Sequence, residues 1–453
     1  MKKLTLLGIL LLGLTHAHAQ FFNEETKRLY LQAEAKNDTL ALYQLQQQQV
    51  ATDIQSARFS YLPKLAFTGT YTRLNDDIVF PQNLQSLLMG TQVLLIKESL
   101  GMGFNATLPG GVPLQSVDAI QSKNILKGNL NGQWLLFSGF KVSNGVKAYQ
   151  HQQQVYTHLT AKQKTKLWLD IADVYDKMAL VHQADAIISS SEKILNEQTR
   201  FVNAAIDNGL ATPLDRKRVA LAQQKLEVKR QENKTNLIVL KHKMHQLTGV
   251  ADEELDVLQP ELIPAPYLRQ TSAEERPEIK ALNEGIEATH YLEKAAWSDY
   301  VPKLAAFGQY ELRENDLSLL DPVWYAGVRL QWNFFDGLSA RNNARKASLQ
   351  REQLVVQKKA AMDMIQLGKD KYSEDFELAT QKMALKDAET KLAKDTYDFV
   401  DKQYRNGLAP LTEVLDALND VEKASFEYQQ ALYEQRKAGL KAADLNGYLL
   451  ANL

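Results

Sequence analysis

Residues equipped for covalent or metal chemistry are scarce in this chain, and none is well supported by its neighbours. His242 and His245 stand three apart on a helical stretch, a spacing that puts two ligands on one face, but no glutamate partner or third ligand lies nearby in sequence. His151 and His158 share a helix face and suit a surface, and Gly101-Met102-Gly103 lacks the rest of a phosphate-cradling loop. There is no cysteine, which removes disulfides, thiol nucleophiles and thiolate metal sites together. Neither an enzyme nor a cofactor is expected. The remaining chemistry is electrostatic. Asp215 and Glu413 sit near the positive ends of two helices, and Asp416 follows Glu413 by three residues on the same face. As residues alone they read as helix N-terminal charge in solvent.

The elements that must carry these residues come in two copies. Trp134-Leu135-Leu136-Phe137-Ser138-Gly139 returns as Trp332-Asn333-Phe334-Phe335-Asp336-Gly337, Asn208-Gly209-Leu210-Ala211 as Asn406-Gly407-Leu408-Ala409, and Leu247-Thr248-Gly249 as Leu445-Asn446-Gly447, always 198 residues on. A constant offset without insertion implies one structural unit used twice. Tyr61-Leu62-Pro63-Lys64-Leu65 and Tyr300-Val301-Pro302-Lys303-Leu304 are 239 apart, so the first copy holds about 41 extra residues, within 75–127. The expected organisation is a signal segment over 1–19, a first repeat over 20–250, a Pro-containing connector over 251–272 and a second repeat over 273–453.

After Gly139 a stretch of about 65 residues has no proline and carries the stripe Leu167, Ile171, Val174, Met178, Val181, Asp185, Ile188, Glu192, Leu195, Thr199, Val202, Ile206, whose steps alternate 4 and 3. That is a heptad seam on a long helix. Its counterpart from Ile365 to Tyr404 is bulkier and more aromatic. Each long helix ends at Asn-Gly-Leu-Ala, where glycine can take the left-handed conformation, and Pro213 or Pro410 then suits the first turn of a returning helix. Each repeat therefore contains a helical hairpin, whose longer arm reaches about 100 Å at ~1.5 Å per residue. A soluble coiled-coil rod would share this pattern.

The first residues read as a secretory signal: Lys2 and Lys3, an apolar run from Leu4 to Leu14, then Ala17-His18-Ala19 before Gln20. Without a cysteine at the cleavage site no lipid anchor is expected. Net charge is −1, which does not favour nucleic acid. No later segment has the ~18 uncharged apolar residues of a spanning helix, so any membrane insertion must use strands. Four alternating runs qualify. Leu65 to Tyr71, Leu130 to Leu136, Leu304 to Leu312 and Trp324 to Phe334 place apolar residues on one side and mainly polar residues on the other, with Phe307 on the polar side as the exception. Such runs fit transmembrane β-barrel strands and equally a half-buried soluble sheet. Four strands cannot close a barrel, and an open sheet in lipid leaves unpaired edges. If the strands are in a membrane, several chains must share one barrel.

Signal segment, duplication, two strand pairs and two long hairpins together resemble the TolC-type outer-membrane efflux channel family. The likeness covers residues 21–450 and rests on Tyr-Leu-Pro-Lys-Leu opening a strand, Trp-x-x-Phe-(Ser/Asp)-Gly closing one, and Gly-Leu at the hairpin turn, twice in the same order. The resemblance implies an internally duplicated α+β membrane protein. Four transmembrane β-strands per chain would contribute to a trimeric 12-stranded β-barrel, continued by a long α-helical coiled-coil barrel in the periplasm. A helix over 21–57, another over 273–297 and the connector with Pro260, Pro264 and Pro266 would form a belt. It implies a passive exit duct of a tripartite efflux or type I secretion system, with a periplasmic adaptor and an inner-membrane pump as partners. Glu413 and Asp416 match two acidic positions that ring the closed entrance, and Tyr404 and Asp215 match a pair that helps hold it shut. Ala409 stands where the family has a basic residue. Residues 208–211 and 406–409, Asn208, Gly209, Leu210, Ala211 and Asn406, Gly407, Leu408, Ala409, correspond to the turns that meet the adaptor. The alternative is a periplasmic coiled-coil adaptor or structural protein, although the chain has two hairpins and no Gly-rich lipoyl pattern.

Overall fold

The computed structural model describes residues 23–266, 276–313 and 324–451. The signal segment expected at 1–19, and 267–272 of the expected connector, lie outside the described residues. The elements in chain order are α1 (Glu24–Lys36), α2 (Asp38–Phe59), β1 (Lys64–Arg73), α3 (Gln82–Ser99), β2 (Asn124–Phe137), α4 (Lys141–Asp207), α5 (Pro213–Thr248), α6 (Asp252–Leu255), α7 (Pro277–Trp297), a single 3-10 turn (Ser298–Tyr300), β3 (Lys303–Arg313), β4 (Trp324–Gln331), α8 (Ser339–Arg405), α9 (Leu411–Leu445) and α10 (Tyr448–Ala451). The duplication is exact in length where register matters: α4 and α8 are both 67 residues long, beginning at positions 141 and 339, the same 198 apart.

The chain divides into two compact units. One comprises Thr52–Tyr149 and Thr289–Leu349 and is built on a four-stranded antiparallel sheet in the order β1-β2-β3-β4. Register lines the strands up by chemistry. Phe67 lies opposite Leu130, Leu130 opposite Tyr310, and Tyr310 opposite Trp324, one apolar row across the sheet. On the other face Ala66, Asn131, Gln309 and Tyr325 form a row, tied by a 2.8 Å hydrogen bond from the Tyr325 hydroxyl to Gln309 Oε1. Phe307 is accommodated on that polar face because Gly327 lies opposite it. A Cβ at Gly327 would come within 2.9 Å of the Phe307 ring, and the Arg329 guanidinium covers that ring at 5.1 Å.

The other unit comprises Met1–Ala51, Gln150–Ala288 and Gln350–Leu453 and is made of the helical hairpins with α1, α6 and the described part of the connector packed on them. The heptad stripe of α4 points inward: Leu167, Ile171, Val174 and Met178 are buried with Leu29, Tyr30, Leu255 and Leu258, while Ile188, Leu195 and Val202 pack with Val219, Leu226, Leu411 and Leu418. Tyr30 stacks on Trp168 with ring centroids 4.4 Å apart. Leu262 and Ala265 of the connector are buried against α4 and α9.

Two expectations need correction, and the extra segment gains an element. The helix expected over 21–57 is broken at Asn37, whose backbone is extended (φ −76, ψ 112) and whose Oδ1 accepts the Leu40 N–H at 3.0 Å. A short amide side chain that serves a backbone donor ends one helix and starts the next. The run expected to continue to Phe334 stops as a strand at Gln331, because Gln331 already pairs with Lys303, the first residue of β3; just beyond it the Trp332 indole donates to the Tyr300 carbonyl at 3.0 Å. The extra segment of the first copy is not only loop: it contains the 18-residue helix α3.

Candidate channel wall and entrance

Among the described residues nothing covers the apolar face of the sheet. Leu65, Phe67, Tyr71, Tyr310, Trp324, Val328 and Leu330 are all exposed, and β1 and β4 are free edges. Strand lengths of 8 to 14 residues suit the ~9–11 needed to cross a bilayer. Among the described residues no helix is long and apolar enough to cross a membrane.

Both exits from the sheet are locked in the same way. Trp134 Nε1 donates to the Tyr61 carbonyl at 2.7 Å, as Trp332 does to Tyr300. The Tyr61 and Ser138 hydroxyls share a 2.8 Å hydrogen bond, and the Tyr300 hydroxyl donates to Asp336 Oδ1 at 3.0 Å. Ser138 Oγ then accepts the Val142 N–H at 3.2 Å and Asp336 Oδ2 the Ala340 N–H at 2.7 Å. Between lock and helix the chain makes two consecutive left-handed residues, Gly139 and Phe140 (φ 66 and 69), repeated at Gly337 and Leu338 (φ 67 and 66). A non-glycine residue there costs about 1–2 kcal/mol, which the capping bonds offset.

At the far end of each hairpin the two turns match bond for bond. Gly209 and Gly407 are left-handed (φ 73 and 76). The Leu210 N–H reaches Ala205 O at 2.7 Å and the Leu408 N–H reaches Gln403 O at 2.9 Å. Asn208 Nδ2 donates to Ala204 O at 2.7 Å and Asn406 Nδ2 to Lys402 O at 2.8 Å. These bonds satisfy the last helical carbonyls and leave Leu210 84% and Leu408 77% exposed. Ala211 and Ala409 are half-buried behind them.

The acidic residues expected at an entrance lie on two helices. Glu413 and Asp416 are exposed on α9, with Leu411, Val414, Ala417 and Leu418 buried on its other side. Asp215 accepts from the Thr212 N–H at 3.0 Å and its hydroxyl at 2.8 Å, and from Arg218 at 3.3 Å. Partial burial raises its pKa, but these bonds outweigh that and hold the carboxyl below its ordinary range. Tyr404 packs edge-on against Phe201 with centroids 5.4 Å apart. Burial, then the charges of Asp215 and Asp401, push its hydroxyl pKa up. Alanine stands at 409; Arg218 on α5 serves Asp215, and Arg405 on α8 bonds Asp401 at 2.7 Å while Gln198 on α4 donates to the same carboxylate at 2.5 Å. Of the histidines, His151 bonds Glu284 at 2.7 Å and His245 bonds the Val250 carbonyl at 2.6 Å. His242 is exposed, and burial lowers the pKa of His158.

The sequence pattern of the family described as Outer membrane efflux protein matches residues 268–443. That match spans less than half of the chain. Solved structures share its fold along nearly the whole length. CusC has a TM-score of 0.74 at 13% identity, covering 94% of this chain and 92% of CusC. The outer membrane protein VceC of Vibrio cholerae has 0.70 at 13%, covering 93% and 96%. The MtrE outer membrane channel of Neisseria gonorrhoeae, solved in its open state, has 0.67 at 13%, covering 93% and 88%. No curated protein matches the chain in sequence. The matched pattern is that of a family of the outer membrane. The family and the similar structures are channels of that membrane rather than enzymes.

Three features of this chain escaped the sequence reading. Asp420 is exposed and extends the Glu413–Asp416 face by one helical turn, as its i+4 spacing from Asp416 could have shown. Exposed Leu214, Leu221 and Val228 on α5, and Leu378, Leu385, Leu392 and Phe399 on α8, recur every seven residues, so each helix carries a second heptad stripe outside the chain's own core. The buried ion pair of Asp176 with Arg436, 2.7 Å, joins residues with no local sequence signal linking them.

Proposed function

We propose that three copies of the chain close one twelve-stranded barrel in the outer membrane, continued into the periplasm by a tunnel of the long hairpins. The chain serves as the passive exit duct of a tripartite efflux or type I secretion system. The observation that carries this reading is the four-stranded sheet with two free edges and an uncovered apolar face, because lipid tolerates strands only in closed barrels. The second heptad stripes support it. Antiparallel pairing of α5 in one copy with α8 in the next aligns Leu214 with Phe399, Leu221 with Leu392 and Val228 with Leu385, one rung per heptad. A head-to-tail contact of this kind closes into a ring. Residues 20–250 and 273–453 act as the two repeats of the wall, joined by 251–272.

At the periplasmic end the exposed Leu210 and Leu408, presented by Asn208–Ala211 and Asn406–Ala409, meet the hairpin tips of a periplasmic adaptor, which couples the duct to an inner-membrane pump. Threefold symmetry turns Glu413 and Asp416 into stacked carboxylate rings that attract cations. Asp215 and Tyr404 stiffen the turn beside them and help hold the entrance closed. Drugs, small molecules or proteins delivered by the pump leave through the duct. Cell fractionation tests the assignment: a heat-sensitive trimer extracted from the outer membrane by detergent, forming conducting pores in planar bilayers, supports it. A soluble periplasmic monomer overturns it.

A further inference from the structure

Helix α3 lies in the insertion that gives the first copy its extra residues, and among the described residues nothing covers its leucines. None of its 18 residues is buried. It follows the edge strand β1 through a turn pinned where the Leu74 N–H reaches Lys123 O at 2.8 Å and Ile78 bridges Gln121. β1 runs away from the Ser138 junction, since Lys64 at its start pairs with Gln133 near the end of β2 and Arg73 with Asn124. The segment bearing α3 therefore emerges at the end of the sheet opposite the junctions with the long helices.

The helix has two different sides. Gln85, Gln92, Val93, Ile96 and Lys97 are half-buried toward their own chain. Opposite them Leu84, Leu87, Leu88, Leu94 and Leu95 are exposed, with Thr91 between, in steps of 3, 1, 3, 3 and 1. That is the a/d-type seam of associating helices. A helix of this length with a free apolar seam is not stable in water by itself, so the seam requires an occupant. A helix lying on a membrane surface carries Lys or Arg on its polar side and aromatic anchors on the other. From Gln82 to Ile96 α3 has no charged and no aromatic residue. Its neutral flanks suit contact with identical neutral flanks.

We infer that the occupant is a second copy of this chain: the α3 helices of neighbouring copies pack by their leucine seams about the shared axis, forming a helical collar over the outer mouth of the barrel. The inference rests on the trimeric reading above, and the barrel supplies its geometry, because β1 is the edge through which each copy joins the next.

The absence of cysteine makes the test direct. Leu87→Cys, Leu94→Cys and Gln92→Cys are introduced singly into the full chain, expressed in the outer membrane and mildly oxidised. Native mass of the same preparations reports whether the trimer is intact. The collar predicts covalent dimers for Leu87→Cys and Leu94→Cys at about tenfold or more the yield for Gln92→Cys, since a seam at a symmetry axis brings equivalent side chains together. An intact trimer in which the three variants crosslink equally, or not at all, overturns the collar alone. Quenching of Leu87→Trp fluorescence by brominated lipid would also overturn it, by showing that lipid covers the seam. A monomer overturns both the collar and the assembly.

Discussion

Tyr300 donates its phenolic hydrogen to Asp336 over 3.0 Å, and Tyr61 shares a 2.8 Å bond with Ser138 at the equivalent place in the first copy. Each pair joins the residue before one strand to the residue that caps a long helix, so each sets where the sheet hands over to the helix. The capping side chain differs but the geometry does not, because serine and aspartate both offer an oxygen to a backbone N–H. Ser138 is buried. Replacing it by alanine is expected to cost about 1 kcal/mol, with Tyr61→Phe costing less than additively on top of it. Thermal unfolding of the two single variants and the double variant checks this. Additive losses would show that the two hydroxyls act independently.

The Asp176–Arg436 pair makes stability depend on pH. Burial pushes the Asp176 carboxyl up to about 6, against the pull of Arg436 and with a further push from Asp173. The folded chain therefore holds a proton that the unfolded chain, at 3.8, has lost. Stability from this group is greatest below that lower value and falls as pH rises toward about 6, then stays level. The stability difference between Asp176→Asn and the parent should shift by up to about 3 kcal/mol across that window. Denaturant unfolding at pH 4 to 7 measures it as an order of magnitude, and a constant difference would contradict the assignment.

Gly439 lets the connector lie against α9. A Cβ there would fall inside van der Waals contact of Ala265 Cβ and within 3.1 Å of the Phe376 ring, while Gln435 holds the Ala265 N–H and carbonyl at 2.9 Å each. Gly439→Ala should destabilise by about 1–3 kcal/mol, despite the better helix propensity of alanine. Faster proteolysis in the connector after Leu262, compared with the parent, would report the displacement. Unchanged proteolysis and stability would contradict the close contact.

At the entrance, Glu413→Ala with Asp416→Ala should weaken cation preference in planar-bilayer recordings, and adding Asp420→Ala should weaken it further. Unchanged reversal potentials would remove the carboxylate rings. Separately, Tyr404→Phe with Asp215→Ala should raise conductance, most of it from Asp215, which makes the hydrogen bonds at this turn. An unchanged conductance would place the closing contacts elsewhere, with Gln198, Asp401 and Arg405 the next to test.

Much of the architecture was legible because it is periodic. The 198-residue echo foretold two long helices of one length, and alternation in the strands foretold an apolar face, since both follow from regular backbone geometry. What escaped is local or non-local. Asn37 breaks a helix through one side-chain bond, and β4 ends early because β3 offers no partner beyond Lys303. Helix α3 lies in an insertion with no second copy to compare. Asp176 and Arg436 meet only after folding. The stripes on α5 and α8 are in the sequence, but they offer one apolar residue per heptad, a weaker signal than the inward seams of the long helices.

In the proposed assembly the chains join head to tail around a closed wall. Its most direct measurement is disulfide crosslinking of the Leu221→Cys, Leu392→Cys double variant, built in a chain that has no other cysteine and oxidised in the outer membrane. The account predicts covalent dimers and a covalent trimer as the largest species, because each bond links α5 of one copy to α8 of the next and the third closes the ring. A product that runs only as a monomer, or a ladder extending beyond the trimer, would contradict it.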